Sequence, residues 1–448
     1  MLQGLKTSGF LAAMLMLAGC ARYRPEPLHP AVELRTLKER TTELSMPSTI
    51  NAAGGQLAGY HPEDGLNEAE LVMAALTFNP ALREKRYEIS RINGFDLLGM
   101  VRFKPELQVN VDRATVGVAT DSDMLYTLLI PSLRQAWRDD NAARREQSRA
   151  EMMAAEALVV VAVRRAHVAA LMALEQVAWS RGRVDHRRQV LDDIEANQPS
   201  SSLDRALASL AWQRALADAR HAAGGLADAR RDLNRLVGFD PQVEVKFSEQ
   251  ARSLVGPQVE TIASEDLDRQ LLSGRWELKA LEASYQRAEF TYSQAVMGQL
   301  PKLRLAPAVT FDRDEGTSLK FGASVRIPWP DNAAEKAEDA LVNRTRARAV
   351  YVEKLHALRA EAHAANAHVA RAWTDLAALE NIRAATDAAL AESAARRTAG
   401  QMSLSDYLPL VERGEYLTHA WVDAASEYRL ANIELDHAIG RLNRTKDP

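Results

Sequence analysis

The ten histidines are the residues of this chain best suited to acid–base or metal chemistry, and their spacing argues against both. His356, His363 and His368 lie on one long helical stretch, but steps of seven and five residues do not place all three on one helix face. No His-Glu-x-x-His sequence, glycine-rich phosphate loop or Ser-His-Asp arrangement is visible. Glu361 and the many other carboxylates are typical of a coiled-coil surface. We therefore predict a protein with no catalytic site, no metal and no cofactor.

The single cysteine, Cys20, lies where a lipid is attached in bacterial lipoproteins. Lys6 precedes a short apolar run, residues 10–18, which is too brief to span a bilayer and is typical of a signal peptide. The run ends in Leu17-Ala18-Gly19-Cys20, which resembles a lipobox, where the thiol receives diacylglycerol, the new N-terminus receives an acyl chain such as palmitate, and cleavage precedes the cysteine. That resemblance implies delivery to the outer membrane, since Ala21 is not the aspartate that often retains lipoproteins in the inner membrane. A buried thiol in an ordinary signal peptide is the alternative.

The charge balance of the chain gives no sign of a nucleic-acid partner. Lys and Arg total 56 against 60 Asp and Glu, a formal net charge of −4, so no basic footprint is present. Only 22 glycines and 17 prolines interrupt 448 residues, which predicts long elements. The most apolar stretch after the signal peptide, residues 157–163, is stopped by Arg164 and Arg165, so we expect no membrane-spanning helix. Any membrane span would then consist of β-strands.

Long helices are predicted for most of the chain after residue 65. Residues 21–65 are rich in proline and lack periodicity, which indicates an extended tether. A helical stretch over 66–103 is interrupted near Asn79-Pro80, and residues 134–197 contain no proline. On that second stretch apolar residues recur every three or four positions with charges between them. This pattern predicts a solvated or coiled-coil helix.

The second half of the chain repeats the first at an offset of 196 residues. Five apolar positions carry the repeat: Leu71, Leu76, Leu82, Pro105 and Leu107 recur as Leu267, Leu272, Leu278, Pro301 and Leu303. We interpret this as a tandem duplication in which each repeat contains a helix, a β-hairpin and a long helical hairpin.

Each repeat contains one pair of amphipathic strand-length segments around a polar turn. In residues 303–328 apolar and polar side chains alternate on both sides of Asp314-Glu315-Gly316, and residues 106–131 follow the same plan more loosely. A small periplasmic β subdomain would show the same alternation. Strands of about ten residues also match the length of a tilted transmembrane strand, yet four strands are too few to close a barrel. We therefore predict that the strands are pooled between subunits, because an open edge in lipid leaves backbone groups unpaired.

These features predict the following organisation. The predicted boundaries are a lipoprotein signal peptide at 1–19, a lipidated tether at 20–65, repeat 1 at 66–240 with its β-hairpin near 106–131, an inter-repeat linker at 241–264, repeat 2 at 265–443 with its β-hairpin near 303–328, and a tail at 444–448.

Several short motifs, taken in order, resemble one protein family. They are Asn79-Pro80-Ala81-Leu82, Leu233-Asn234-Arg235-Leu236-Val237-Gly238, Leu300-Pro301-Lys302-Leu303, Ile327-Pro328-Trp329-Pro330 and the segment 397–408. Together they resemble the TolC-like outer-membrane factors, over about residues 66–442. The resemblance implies a mainly α fold with a membrane β part: a homotrimer that pools four strands from each protomer into one twelve-stranded barrel on a long helical tunnel. It implies the outer-membrane channel of a tripartite efflux pump or type I secretion-like system, with a periplasmic adaptor (membrane fusion protein) and an inner-membrane pump as partners.

The segment 397–408 resembles the family's turn at the periplasmic tip of the helical hairpin. Gly400 can take the positive φ that ends a helix, and Ser403 with Asp406 three residues later can cap the next one. The resemblance implies that Gly400, Ser403 and Asp406 lie at the tunnel entrance, with three copies of Asp406 in a ring. Turn formation alone remains the alternative for the glycine and the serine.

The first repeat shows the same capping spacing at Ser201 and Asp204. By resemblance, these two residues together with Arg396 and Arg397 are expected at the tips that contact the adaptor's helical hairpins. For Ser201, as for Ser403, a purely structural turn is the alternative. The two arginines could instead point inward to the entrance.

Three residues depart from the family pattern. Met402 stands where the best-known members carry an arginine that helps lock the entrance, Pro409 where they carry a second aspartate, and Pro199 where the first turn has glycine. The family's ionic lock therefore does not transfer to this chain. The competing function is a lipid-anchored periplasmic adaptor or coiled-coil scaffold without a pore. Two strand pairs at equivalent points of two repeats argue against it.

Overall fold

A computed structural model describes most of the chain. The described residues are 28–42, 62–94, 105–110, 115–120, 131–196, 202–248, 258, 261–299, 302–312, 316–326 and 330–441. The predicted signal peptide, Cys20, Pro199, Ser201, residues 121–130 of the first predicted β-hairpin and residues 313–315 of the second lie outside them.

The described residues are mostly helical, with the strands placed between helices. The helices are α1 (Pro30–Lys38), α2 (Glu68–Phe78), α3 (Pro80–Gly94), α4 (Pro131–Ala196), α5 (Ser202–Val237), α6 (Ser264–Gly274), α7 (Trp276–Met297), α8 (Pro330–Thr398) and α9 (Leu404–Ala438). The strands are β1 (Pro105–Asn110), β2 (Thr115–Thr120), β3 (Lys302–Asp312) and β4 (Gly316–Arg326). Helices α4 and α5 form one long hairpin and α8 and α9 a second, and α7 packs between α4 and α8.

Local sequence determines where these helices begin. The Asn67 side chain accepts a hydrogen bond from the Glu70 amide at 3.0 Å, and the Glu70 carboxylate accepts one from the Asn67 amide at 2.8 Å, which forms a capping box for α2. Helices α4 and α8 each begin at a proline, whose missing amide is unpaired in a first helical turn anyway. With 66 and 69 residues, α4 and α8 extend about 100 Å.

The strands form one antiparallel sheet in the order β1-β2-β3-β4. Each half of the chain contributes one hairpin, and the two hairpins are joined through β2 and β3, where Val118 pairs with Val309. Strands β3 and β4 each have eleven residues, while the described parts of β1 and β2 each have six. Within the described residues, β1 and β4 are the edges of the sheet.

The two halves of the chain end in matching glycine junctions. Both ends of α6 lie 196 positions after the ends of α2. Gly238 follows α5 with φ of 91°, and Gly440 follows α9 with φ of 77°. A Cβ atom on Gly238 would lie 2.6 Å from the carbonyl oxygen of Phe78 at the end of α2, and one on Gly440 would collide with the backbone of Gly274 at the end of α6. Glycine is required at both positions because helix ends meet backbone to backbone.

The main apolar core, called here the mid-level core, lies where α2 and α6 pack against the long helices. Its buried members come from α2, α6 and the long helices. They include Leu71, Val163, Leu267 and Leu435, each 0% exposed. The rings of Trp373 and Tyr428 pack there with centroids 5.1 Å apart. This core holds the short helices on the sides of both long hairpins.

One helix of the described part passes a test of length and composition for crossing a membrane, namely the 139–196 portion of α4. The expectation that the apolar run stops at Arg164 and Arg165 is therefore wrong, since the pattern continues past them. The absence of a membrane-spanning helix stays a prediction, because length and composition alone do not test it. In the most apolar 18-residue stretch of this portion, 44% is buried inside the protein. Val163 and Leu171 lie in the mid-level core, so this stretch packs as a core helix.

Candidate functional site

The turn between α8 and α9 forms the tip of the second helical hairpin. Gly400 has φ of 73°, and the amides of Gly400 and Gln401 donate to the carbonyl groups of Arg397 and Arg396 at 3.0 and 2.9 Å. This closes the last turn of α8 in the left-handed geometry that favours glycine. No atom lies within 4 Å of a Cβ built on Gly400, so backbone conformation alone accounts for the glycine.

Ser403 and Asp406 cap the start of α9 reciprocally. The Asp406 amide donates to the Ser403 hydroxyl oxygen at 3.1 Å, and that hydroxyl donates to the Asp406 carboxylate at 2.5 Å. Ser405 contributes a second hydroxyl 2.8 Å from that of Ser403. The carboxylate thus lies in the first turn of α9, where the helix dipole favours negative charge. Asp406 is exposed in the single chain, as an entrance residue would have to be.

Beneath this turn lies a small apolar cluster, called here the tip cluster, that joins the two hairpins. Its buried members are Val190, Leu191, Ala208, Leu404, Tyr407 and Val411. Met402 packs against it. The residue that stands in place of the family's arginine therefore contributes apolar contact within one chain, and no charge.

Arg397 connects α8 to the other hairpin. Its guanidinium lies 3.4 Å from the Asp193 carboxylate on α4 and 5.2 Å from the ring centroid of Tyr407. The Tyr407 hydroxyl in turn lies 3.3 Å from Nε2 of His186, so the contact continues along α4. Burial, followed by the charges of Arg187 and Arg397, lowers the pKa of His186. The preceding residue, Arg396, is exposed.

The first hairpin tip is described only in part. Asp204 lies half-buried in the first turn of α5, and Ser201 lies outside the described residues.

Pro409 lies inside α9, and the helix continues past it to Ala438. A proline in the second turn costs one backbone hydrogen bond without ending this helix.

A second link between the hairpins, which the sequence did not predict, lies above the tip cluster. Glu415 on α9 forms ion pairs with Arg183 at 3.2 Å and with Arg187 at 3.0 Å. Arg183 also pairs with Asp218 on α5 at 3.1 Å. The Arg187 side chain is only 3% exposed. The only local signal in the sequence is the spacing of the two arginines, four residues apart on α4. That spacing does not identify Glu415 as their partner.

A third link, called here the mid-level ion cluster, lies beside the mid-level core. Arg164 pairs with Glu68 at 2.6 Å and with Asp436 at 3.1 Å, and Arg429 reaches Glu68 at 3.1 Å. These residues join α2, α4 and α9. The Asp436 side chain is 1% exposed, so its charge is compensated within the protein.

His167 is buried against this cluster at 0% exposure, with Nδ1 3.8 Å from Glu68 and its ring 5.3 Å from that of Phe247. Burial lowers the pKa of His167, and the charges of Arg429 and Arg164 lower it further while Glu68 opposes them. Burial alone would raise the pKa of Glu68, but His167, Arg164 and Arg429 together hold it well below its usual value.

A polar cavity of about 420 Å³ opens between α4, α8 and α9. Arg165 and Glu434 on its wall pair at 3.0 Å, and Nε2 of His368 lies 2.9 Å from Glu427. These charged groups therefore already have partners. In the part of the chain that the structure describes, no group of three or more His, Cys, Asp or Glu could hold a metal ion.

No family model matches the chain, and no curated protein matches it in sequence. Solved structures do match. The open state of the MtrE outer membrane channel of Neisseria gonorrhoeae matches with a TM-score of 0.71 and 16% identity, over 96% of this chain and 100% of that one. CusC matches with 0.70 and 15%, over 94% and 99%. The CmeC outer membrane channel of Campylobacter jejuni matches with 0.69 and 14%, over 96% and 95%.

These solved structures are TolC-family outer-membrane channels. The chain has the TolC-like fold. The predicted resemblance is thereby confirmed at the level of fold, including the mostly helical content. Because the match extends over nearly the whole chain, the TolC-like fold includes both long hairpins as well as the short helices α2 and α6 that pack on them.

Proposed function

We propose that the chain is a TolC-family outer-membrane channel, which conducts substrates from a periplasmic adaptor and an inner-membrane pump across the outer membrane. The system would be a tripartite efflux pump or a type I secretion-like system. One observation carries the proposal: a four-stranded sheet with two unpaired edges is joined to helical hairpins about 100 Å long in one chain. The likeness to outer-membrane channels over 94 to 96% of the chain supports it.

A homotrimer follows from the edges of the sheet. Strands β1 and β4 each leave one row of backbone groups without a partner among the described residues. Lipid offers no hydrogen bonds to such groups, so a membrane sheet must close on itself. Three copies joined edge to edge would give a closed twelve-stranded barrel, within the range of natural membrane barrels. The two proposed repeats, 66–240 and 265–443, would each contribute one hairpin per protomer.

Lipid attachment at Cys20 forms a further part of the proposal. The cysteine follows the predicted signal peptide, and the tether 20–65 would lead from the membrane surface to α2. The acyl chains would add an anchor to a protein already inserted through its strands. Intact-mass spectrometry of the mature protein tests this, since an unmodified cysteine would remove the lipid from the account.

At the opposite end, the α8–α9 tips would surround the periplasmic entrance. Three-fold symmetry would bring three copies of Asp406 around one axis, with Gly400 and Ser403 fixing the turn that presents them. Arg397 pairs with Asp193 on the other hairpin of the same chain. This contact supports a role for Arg397 in joining the two hairpins, in place of the expected contact with the adaptor. Exposed Arg396, with Asp204 and Ser201 of the first tip, would contact the adaptor.

The alternative is a lipid-anchored periplasmic adaptor or coiled-coil scaffold without a pore. The two functions differ in assembly and in membrane extraction. As a channel, the protein should remain with the outer membrane after washing with carbonate, and cross-linking in detergent should yield a trimer. Only monomers and dimers after cross-linking, or release by carbonate from a variant with Cys20→Ser that still folds, would favour the alternative.

A further inference from the structure

The register of β3 and β4 divides their residues between two faces of the sheet. In an antiparallel pair, residues directly opposite each other share a face, and so do positions two apart along one strand. The first hairpin continues this division, because Val118 lies opposite both Leu107 and Val309. An apolar face across four strands suits contact with lipid, which leaves the second face for the interior of the proposed barrel. The opposed pairs of the apolar face in β3 and β4 are Leu303 with Val325, Leu305 with Ala323, Pro307 with Phe321, and Val309 with Leu319.

The second face carries three cationic residues at the end of the sheet that joins the helices. Lys302, the first residue of β3, lies directly opposite Arg326, the last residue of β4. Arg304 shares their face two positions along β3, about 7 Å from Lys302 along the strand. Helix α7 ends at Met297, shortly before β3, and α8 begins at Pro330, shortly after β4. Lys302, Arg304 and Arg326 are called here the basic collar.

Sheet formation does not require the basic collar. Like charges directly opposite each other destabilise an antiparallel pair, and Lys302 with Arg326 is such a pair. Neutral polar residues are sufficient for a wetted face, as they are further along the same strands, where Thr310 lies opposite Ser318. The collar therefore lowers the stability of the sheet, and a bound anion would offset that loss.

The acidic residues of this face lie too far away to neutralise the collar. Within the described strands, the acids of the face are Glu106 in β1 and Asp312 at the other end of β3. Asp312 is about 27 Å from Arg304 along the strand. Glu106 lies in the cross-strand row of Lys320, about 14 Å from the row of Arg304. Both distances exceed the screening length of about 10 Å at 0.1 M ionic strength.

We propose that the basic collar is a binding site for polyvalent anions inside the barrel, where the barrel joins the helical tunnel. This inference rests on the proposed channel function. Three-fold symmetry would bring three collars around one axis, so an anion with several phosphate or carboxylate groups would bind more than one of them. Arg304 and Arg326 suit such a ligand, because a guanidinium donates two parallel hydrogen bonds to one phosphate or carboxylate. The narrow entrance at Asp406 would still set the selectivity for small ions, since charges around a wide, wet opening are screened.

Binding of inorganic tripolyphosphate tests the site without any need for conduction. Isothermal titration calorimetry of the detergent-solubilised wild type should show binding that weakens as salt rises. Arg304→Gln should weaken binding about tenfold, as expected for the loss of a charge-assisted hydrogen bond. Its thermal stability should not fall, because the substitution removes repulsion within the collar.

Lys320→Gln is the matched control, because it removes the same charge from the same face, at least about 14 Å along the strands from each member of the collar. It should change the affinity for tripolyphosphate much less than Arg304→Gln does. Equal weakening in the two variants would show a general attraction to the barrel interior and would overturn the collar. Absence of binding to the wild type would overturn it as well.

Block of channels in planar bilayers separates the collar from the proposed function. Tripolyphosphate added on the barrel side should block wild-type channels, and Arg304→Gln should require about tenfold more for the same block. Channels without block would overturn the collar and leave the channel function intact. Calorimetric binding without channels would overturn the channel function and leave the anion site.

The phosphate of a lipid headgroup is the other source of the same ligand chemistry. If the collar bound lipid, Arg304→Gln would reduce binding of the protein to vesicles of anionic lipid and leave the block by tripolyphosphate unchanged. That result would overturn a site inside the barrel. The interior site predicts the reverse, namely a weakened block and unchanged binding to the vesicles.

Discussion

The tips of the two hairpins and the mid-level junction join the same long helices by contacts of very different strength. At the tips, the ion pair that joins α8 to α4 in the described part of the chain, Arg397 with Asp193, has a carboxylate that is 53% exposed. At the middle, α2, α4 and α9 meet through the buried Asp436 and the partly buried Arg164 and Glu68, beside a large apolar core. Water screens the first contact more than the second. The proposed channel, which would open at one end while its wall stays intact, would require this difference.

The largest expected effect comes from Arg164→Met. It removes the cation 3.1 Å from the Asp436 carboxylate, which is 1% exposed, and breaking a buried ion pair by removing one partner costs about 3–5 kcal/mol of unfolding free energy. Arg165→Met is the matched control, because its pair with Glu434 is exposed on both sides and contributes about 0–1 kcal/mol. Thermal or urea unfolding measures both. Similar losses in the two variants would remove the mid-level ion cluster as a structural anchor.

How much of this contrast the sequence could predict depends on the range of the contact. The positive φ of Gly400 and the cap from Ser403 to Asp406 are local, and the residue types alone predicted them. The offset of 196 residues predicted matched elements in the two halves. By contrast, Arg164 finds its partners 96 and 272 positions away, and Arg397 finds Asp193 at 204. No periodicity marks such pairs, because they depend on how whole helices pack.

The apolar stretch of α4 shows the same limit from another side. Arg164 and Arg165 interrupt a run of apolar residues, and composition alone does not say whether such a helix faces lipid or protein. The structure answers through contacts, since Arg164 has carboxylate partners on two other helices. The TolC-like fold itself was predictable because several weak motifs occur in one order along the chain.

An intermediate effect is expected from pH, through His167. Because burial lowers its pKa in the folded state, the unfolded chain takes up a proton below about pH 6.5 that the folded chain refuses. Stability is therefore lost as pH falls below that value, by up to about 1.4 kcal/mol per pH unit from this group. In His167→Leu the unfolding midpoint should depend less steeply on pH between 6.5 and 5. His368→Gln, at a half-exposed site, serves as control, and identical slopes in wild type and His167→Leu would contradict the account.

A small effect on stability is expected at the tip. Arg397→Ala removes a largely solvated ion pair and should change unfolding free energy by about 0.2–1 kcal/mol. It should nevertheless loosen α8 from α4 and raise the single-channel conductance, because this contact is the described ion pair between the hairpins nearest the turn. Arg396→Ala, at the exposed neighbouring position, should leave conductance unchanged. Equal conductance changes in both variants would show that general charge, and not the contact with Asp193, sets the entrance.

Ion selectivity in planar lipid bilayers tests the central claim most directly. Purified wild-type protein should form cation-selective channels that polyvalent cations block from the periplasmic side, since three Asp406 carboxylates would face one opening without the compensating arginine that Met402 replaces. Asp406→Asn should weaken both selectivity and block. Both should also fade at high salt, because charges in water are screened over about 10 Å at 0.1 M ionic strength. The absence of channels, or equal permeability to cations and anions with block unchanged in Asp406→Asn, would contradict the account.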